Sequence, residues 1–330
     1  NFGIVTSVGL WLMPKPQNFC AFFFQADDPE ALSDLVGRLR PLRMQGLLRS
    51  TIHIGNDLRA LSGRVNYPWK LMKETTPMTS EVRHQRRRQF GVGAWVGCGA
   101  LYGTAATNAG VKKELRRALK GYQLTFIDDR RMSFAKKIAR FLGRFEIGKK
   151  IREQIKTAEP VFELLKGNPN GESLQGAYWR LKPDVGRNAK DPLATDAGLL
   201  WVAPIVPMTG EAAQEVLNLV TPIYNKYGFD CMATFTMITE RAMCCVTNIS
   251  YDKTKADEVA LAKRCYDELM TVLSCNGYVS YRTGPSGYQH LAMGSINFWD
   301  TVLEIKKVLD PNGVISPTRY SPAFCKTKKK

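Results

Sequence analysis

Histidine is scarce in this chain of 330 residues, and no Cys-x-x-Cys pair occurs: His53, His84 and His290 stand far apart. The ligand spacing of a zinc site is therefore missing, and no metal is expected. Long apolar runs are missing too. The longest, residues 19–24 and 199–203, fall far short of the ~20 residues that cross a bilayer, which excludes a transmembrane segment. Acidic residues are few, 30 against 47 Lys and Arg, so the net charge is +17. No internal repeat of fixed period occurs. Gly91-Val-Gly-Ala-Trp-Val-Gly97 has the wrong spacing for a dinucleotide loop and follows a polar run instead of a buried strand, which excludes a Rossmann reading.

What is present is a core. Hydrophobic residues make up 44% of the chain and aromatics 10%, enough for ordinary globular domains. The eight cysteines lie mostly in apolar stretches, which favours buried thiols over disulfides and a reducing compartment. Positive charge concentrates in residues 83–156, with 19 Lys or Arg against five acids. Such a field attracts nucleic acid, acidic proteins or an anionic surface, while solvated helical faces give the same composition. Few aromatics interleave with the basic runs, which disfavours single-strand stacking.

Hydrophobic periodicity predicts strands over 3–13, 18–25, 50–55, 94–102, 199–207, 230–238 and 242–251. Helices are predicted from 28 to the residue before Pro41, as a short turn over 57–61, and over 110–122, 210–227, 255–276 and 298–309. Phe134, Ile138, Phe141 and Phe145 form one apolar stripe on a basic helix ending at Gly148, expected to pack on the core. Residues 167–198 are rich in Gly, Pro, Asn and Asp and are expected to be a long covering loop. The order points to an α+β fold, an antiparallel sheet covered by helices.

Three segments carry a resemblance. Residues 1–14 read Asn-Phe-Gly-Ile-Val-Thr-Ser-Val-Gly-Leu-Trp-Leu-Met-Pro, Gly99-Ala-Leu-Tyr-Gly103 stands in the middle, and residues 278–319 include Tyr281-Arg282-Thr283 and end in Ser-Pro-Thr-Arg319. The chain resembles the vanillyl-alcohol oxidase and 4-cresol dehydrogenase flavoprotein family. That resemblance implies three parts: residues 1–16 end an FAD-binding domain, 17–277 form an FAD-linked oxidase cap over the substrate, and 278–330 return to the FAD-binding domain. It also implies that the chain is the C-terminal part of a longer protein whose upstream half carries the phosphate-binding loop.

The resemblance implies site residues as well. Arg282 and Arg319 match family positions beside the flavin, where fixed positive charge stabilises a ring that has gained a hydride. Tyr281 matches the tyrosine that binds a phenol oxygen, and with Arg282 it would favour the phenolate. Thr234, in Ala233-Thr-Phe-Thr236, falls where the oxidase branch carries threonine, and would line the pocket. Two departures stand out. Leu199 replaces the histidine that bonds the flavin covalently, so non-covalent FAD is expected. Cys244 and Cys245 replace two histidines and are expected to be packing thiols.

The expected activity is FAD-dependent oxidation of para-substituted phenols, by hydride transfer from the benzylic carbon through a quinone methide. Dioxygen or a cytochrome would accept the electrons, and a homo-oligomer is expected. The alternatives are a basic module binding nucleic acid or an acidic partner, and an inactive flavoenzyme homologue.

Overall fold

The computed structural model describes residues 2–182, 191–291 and 296–317. Among them eight strands form a single sheet in the order β4-β1-β3-β2-β7-β8-β5, with β6 also on β8. The strands are β1 (Asn18–Ala26), β2 (Ile52–Asn56), β3 (Trp95–Gly103), β4 (Gln123–Ile127), β5 (Ala197–Val202), β6 (Ile205–Pro207), β7 (Met232–Met237) and β8 (Ala242–Asp252). Every pairing is antiparallel. The α+β expectation holds.

One face of the sheet is dry. Phe22 and Phe24 of β1, Ile52 and Ile54 of β2, Phe235 and Met237 of β7 and Cys245 and Ile249 of β8 all point to it and are buried. Four helices cover it: α1 (Ala31–Met44), α4 (Ala105–Ala118), α7 (Gly210–Lys226) and α8 (Ala256–Cys275). Each presents one apolar stripe, such as Leu32, Leu35, Val36 and Leu39 on α1. Gly97 and Gly99 of β3 are required here. A Cβ at Gly97 would lie 2.1 Å from the Phe24 ring and one at Gly99 2.5 Å from Phe22, so the β1 phenylalanines lie flat on bare backbone. The helix expected to stop before Pro41 runs through it to Met44, losing one backbone bond while Leu42 still reaches the core.

The other face is covered in pieces. Over β1 and β4 lies the hairpin of α5 (Asp129–Phe141) and α6 (Glu146–Leu165), which buries Met132 and Phe162 against Ala21, Phe19 and Phe23. Its apolar stripe does not pack as the periodicity predicts. Phe134, Phe141 and Phe145 are 65%, 86% and 63% exposed, while Met132 and Ala139 on the opposite side of α5 face inward. The core under α5 accepts only this narrower side. The helix also ends at Phe141 and a second begins at Glu146, where one helix is expected through Gly148.

Over β7 lies a second cover: the short helix α2 (Asp57–Ser62), residues 63–79, and the 3₁₀ turn Glu172–Tyr178 with Trp179. Buried Asp230 holds it together, accepting from Trp179 Nε1 at 3.0 Å and from the Met78 amide at 2.9 Å. The basic helix α3 (Ser80–Phe90) docks on α2 through charge: Arg83 Nε donates to Asp57 at 2.7 Å, and Arg87 Nε lies 3.7 Å from the same carboxylate. Lys136 pairs with Glu159, Lys149 with Glu146 and Arg117 with Glu114 at the surface, so part of the basic region is balanced by the fold's own acids.

The chain after α8 bridges back to the sheet at Ser280 and Pro204, then forms α9 (Tyr288–Leu291) and α10 (Ile296–Leu309). Asp310 closes the end, and Gly313 sits at φ +63 in the expected turn. The strand expected over 3–13 is not formed. These residues pair with no strand among those described, and their apolar side chains, including Trp11 at 99% exposure, face outward.

Candidate functional site

Strand register places a row of polar side chains on the second face. His53 of β2 stands opposite Cys98 of β3 and Thr236 of β7, and Thr236 stands opposite Cys244 of β8. Because side chains alternate along each strand, all four share the face that points away from α1, α7 and α8. The adjacent row, two residues along, holds Val96, Gly55, Thr234 and Val246. Thr234 is only partly buried.

Within this field His53 Nδ1 lies 3.1 Å from Thr236 Oγ1. Burial lowers the His53 pKa, and the positive charge of Arg59 on α2 lowers it further, so the ring is neutral at pH 7. Arg59 is fixed through its backbone. Asn56 caps α2 by accepting from the Arg59 amide at 3.0 Å, and it is tied to β7 by donating to the Cys231 carbonyl at 2.7 Å. The arginine side chain therefore extends over the sheet. A Cβ at Gly55 would lie 3.5 Å from Arg59 Cγ and 3.6 Å from Thr234 Oγ1.

Tyr281 and Arg282 reach the same face from its β6 side. The Tyr281 amide donates to the Ala203 carbonyl at 3.2 Å, and the Arg282 guanidinium lies over the Tyr281 ring, 5.2 Å from its centroid. Both side chains are exposed. Cys244 is near enough to feel Arg282: burial pushes its thiol up to about 11, with the guanidinium opposing. Cys244 Sγ lies 3.6 Å from the Ala203 carbonyl, and Cys245 is buried on the opposite, dry face. The cysteine pair thus divides between the two faces, one packing thiol and one beside the candidate site. Trp201, Val279 and Tyr281 leave an apolar edge here, 52%, 46% and 47% exposed.

The structure therefore brings Tyr281 and Arg282 together and sets Thr234 on the same face, one strand beyond Cys244 and Val246. Arg319 lies outside the described residues. Leu199 faces this side from β5, opposite Ser250, with no nucleophilic atom to offer. His53 and Arg59 were not singled out by the sequence. His53 has no motif neighbours, and only the pairing of β2 with β7 gives it Thr236. Among the described residues no three His, Cys, Asp or Glu side chains converge as metal ligands, and no helix is long and apolar enough to cross a membrane.

The fold is an α+β arrangement, an antiparallel sheet covered by helices, that known proteins share. Two solved structures share it: p-cresol methylhydroxylase with substrate bound (TM-score 0.76, 24% identity, 94% of this chain and 54% of that one) and 4-ethylphenol oxidase from Gulosibacter chungangensis in its isoeugenol complex (TM-score 0.77, 21% identity, 94% and 55%). In sequence the chain is similar to the 1'-carboxy-chondrochloren decarboxylase of Chondromyces crocatus, 28% identical over 323 residues. It is also similar to the 4-cresol dehydrogenase [hydroxylating] flavoprotein subunit of Pseudomonas putida, 26% identical over 324. Each alignment takes in 97% of this chain, and the chain spans 59% and 55% of those relatives' lengths. No protein-family model matches. The resemblance read from the residues to the 4-cresol dehydrogenase flavoproteins is borne out along nearly the whole chain.

Proposed function

We propose that this chain is the substrate-covering cap and returning segment of an FAD-dependent oxidoreductase that oxidises para-substituted phenols. The observation that carries the reading is the Tyr281–Arg282 pair, held at the edge of a polar sheet face in a chain similar throughout to a 4-cresol dehydrogenase flavoprotein subunit. The residues present suit a flavin. The apolar edge of Trp201, Val279 and Tyr281 would be buried by a planar ring system, and exposed Arg282 offers a fixed cation beside it. Leu199 supplies no covalent link, so the cofactor is held non-covalently. When bound, FAD supplies the hydride acceptor.

This chain's own residues do the rest. Tyr281 donates to the phenol oxygen, and Arg282 stabilises the phenolate that forms there. That anion pushes electron density through the ring, so the benzylic carbon can give up a hydride and leave a quinone methide. Thr234 and Thr236 line the face across which the para chain lies, and the neutral His53 ring beside Thr236 adds no competing charge. Arg319 is a further candidate cation for the flavin. The acceptor of the electrons is dioxygen or a cytochrome, and the protein works as a homo-oligomer.

The test is the visible absorbance spectrum of protein expressed from its complete reading frame. Flavin bands that bleach on anaerobic addition of a 4-alkylphenol are the expected result. A protein that cannot be reconstituted with FAD, or whose flavin stays oxidised, overturns the reading.

A further inference from the structure

Among the described residues, the Arg59 side chain lies over the second face with no hydrogen bond or ion pair to explain its position. The buried arginines elsewhere have partners for their terminal nitrogens. Arg43 donates to the carbonyls of Leu48, Ser50 and Ile238, and Arg180 donates to the Gly228 carbonyl and lies 3.5 Å from Glu258. The Arg59 side chain, partly buried, has no carboxylate within 4 Å and no hydrogen bond among the described residues; the residue bonds only through its backbone, its amide donating to Asn56 Oδ1 and its carbonyl accepting from Ser62 Oγ. Burial lowers its pKa, and no acid opposes the shift. A covered cation without an anion is costly, and a fold keeps one where something else supplies the charge.

Its surroundings say where that anion would sit. The stem passes Thr234, and the guanidinium rests against the 3₁₀ turn, where a Cβ at Gly176 would lie 2.6 Å from Nη1. The absence of side chains at Gly55 and Gly176 leaves the arginine room on both sides. Arg282 lies beside Cys244 on β8, whereas Gly55 and Arg59 belong to β2 and the start of α2. Two strand spacings, about 10 Å, separate β2 from β8. One cation thus stands at each end of the polar face, with Thr234 and Thr236 between.

We propose that Arg59 forms an anion subsite at the far end of the substrate face, so that the phenols this protein takes carry a carboxylate on the para chain. The inference rests on the phenol-oxidising reading for the end of the face it assigns to Tyr281 and Arg282. Arg59 binds the carboxylate by charge-assisted hydrogen bonds and sets the ring's direction, with phenol oxygen toward Arg282 and para chain toward Thr234.

The experiment compares two probes of one shape, 4-hydroxyphenylacetate and 4-hydroxyphenylacetamide, titrated calorimetrically into FAD-loaded protein from the complete reading frame. The carboxylate is expected to bind about tenfold or more tightly than the amide. Arg59→Gln should bring the two together, and Arg59→Lys should keep part of the preference; a melting curve of each variant reports that it is folded. Equal binding of the two probes by the unsubstituted protein, or a preference that survives in Arg59→Gln, overturns the subsite. Bleaching by neutral 4-alkylphenols tests the parent reading separately. A flavin that bleaches while the carboxylate preference is missing rejects Arg59 alone, and a preference without bleaching rejects the oxidation alone.

Discussion

The two faces of one sheet differ in what they ask of their residues. The face under α1, α4, α7 and α8 is continuous and dry, and its side chains are fixed by packing. The opposite face carries threonine, histidine and cysteine in register, is covered by separate pieces, and ends at an exposed Tyr281–Arg282 edge. A strand alternates strictly between the two, so Cys244 and Cys245, adjacent in the chain, fall into different chemistries. One face is built for stability, and the other carries the residues that the proposed function assigns to a ligand.

That contrast breaks most severely from the dry side. Phe235→Ala is expected to cost about 3–5 kcal/mol in urea unfolding, since the ring is fully buried and its site cannot collapse under two layers. Asp57→Ala comes next. It leaves Arg83 and Arg87 without their shared carboxylate and should loosen α3, at about 2 kcal/mol because Arg83 is 39% exposed, measured in the same way. On the polar face Thr236→Val removes only the His53 partner and keeps the shape, for about 1 kcal/mol or less, a size that distinguishes a ligand surface from a core.

Two smaller effects sharpen the comparison. Cys244, with its thiol pushed up to about 11, should be alkylated slowly at neutral pH, at a rate rising about tenfold per pH unit toward that value. The same shift has a sign for stability. Above 9.0 the unfolded thiol loses its proton while the folded one keeps it, so Cys244's contribution is intact below pH 9 and lost as pH rises toward 11. Last, Phe141→Ser should change stability by no more than about 0.5 kcal/mol, because the ring is already 86% exposed.

The dry face was legible in the sequence. β1, β3, β7, β8, α7 and α8 lie within a few residues of their predicted positions because burial imposes a strict period on their apolar side chains. α3 and β4 were missed for the complementary reason. α3 has almost no apolar side chains and is held by an ion pair to Asp57, 26 residues earlier, and β4 is five residues at a sheet edge. The α5 stripe misled because periodicity reports an apolar side without saying which side the core uses. On the polar face Tyr281, Arg282 and Thr234 came from motif resemblance. Arg59 has no motif, and its isolation emerges only when α2 lies across β2 and β7.

The most direct test is the rate of anaerobic flavin reduction by a 4-alkylphenol in FAD-loaded protein from the complete reading frame, compared with its Arg282→Met variant. If this edge holds the phenolate, reduction in the variant should slow by about 100-fold or more while FAD remains bound. Reduction at an unchanged rate would contradict the assignment of the phenol site to Tyr281 and Arg282.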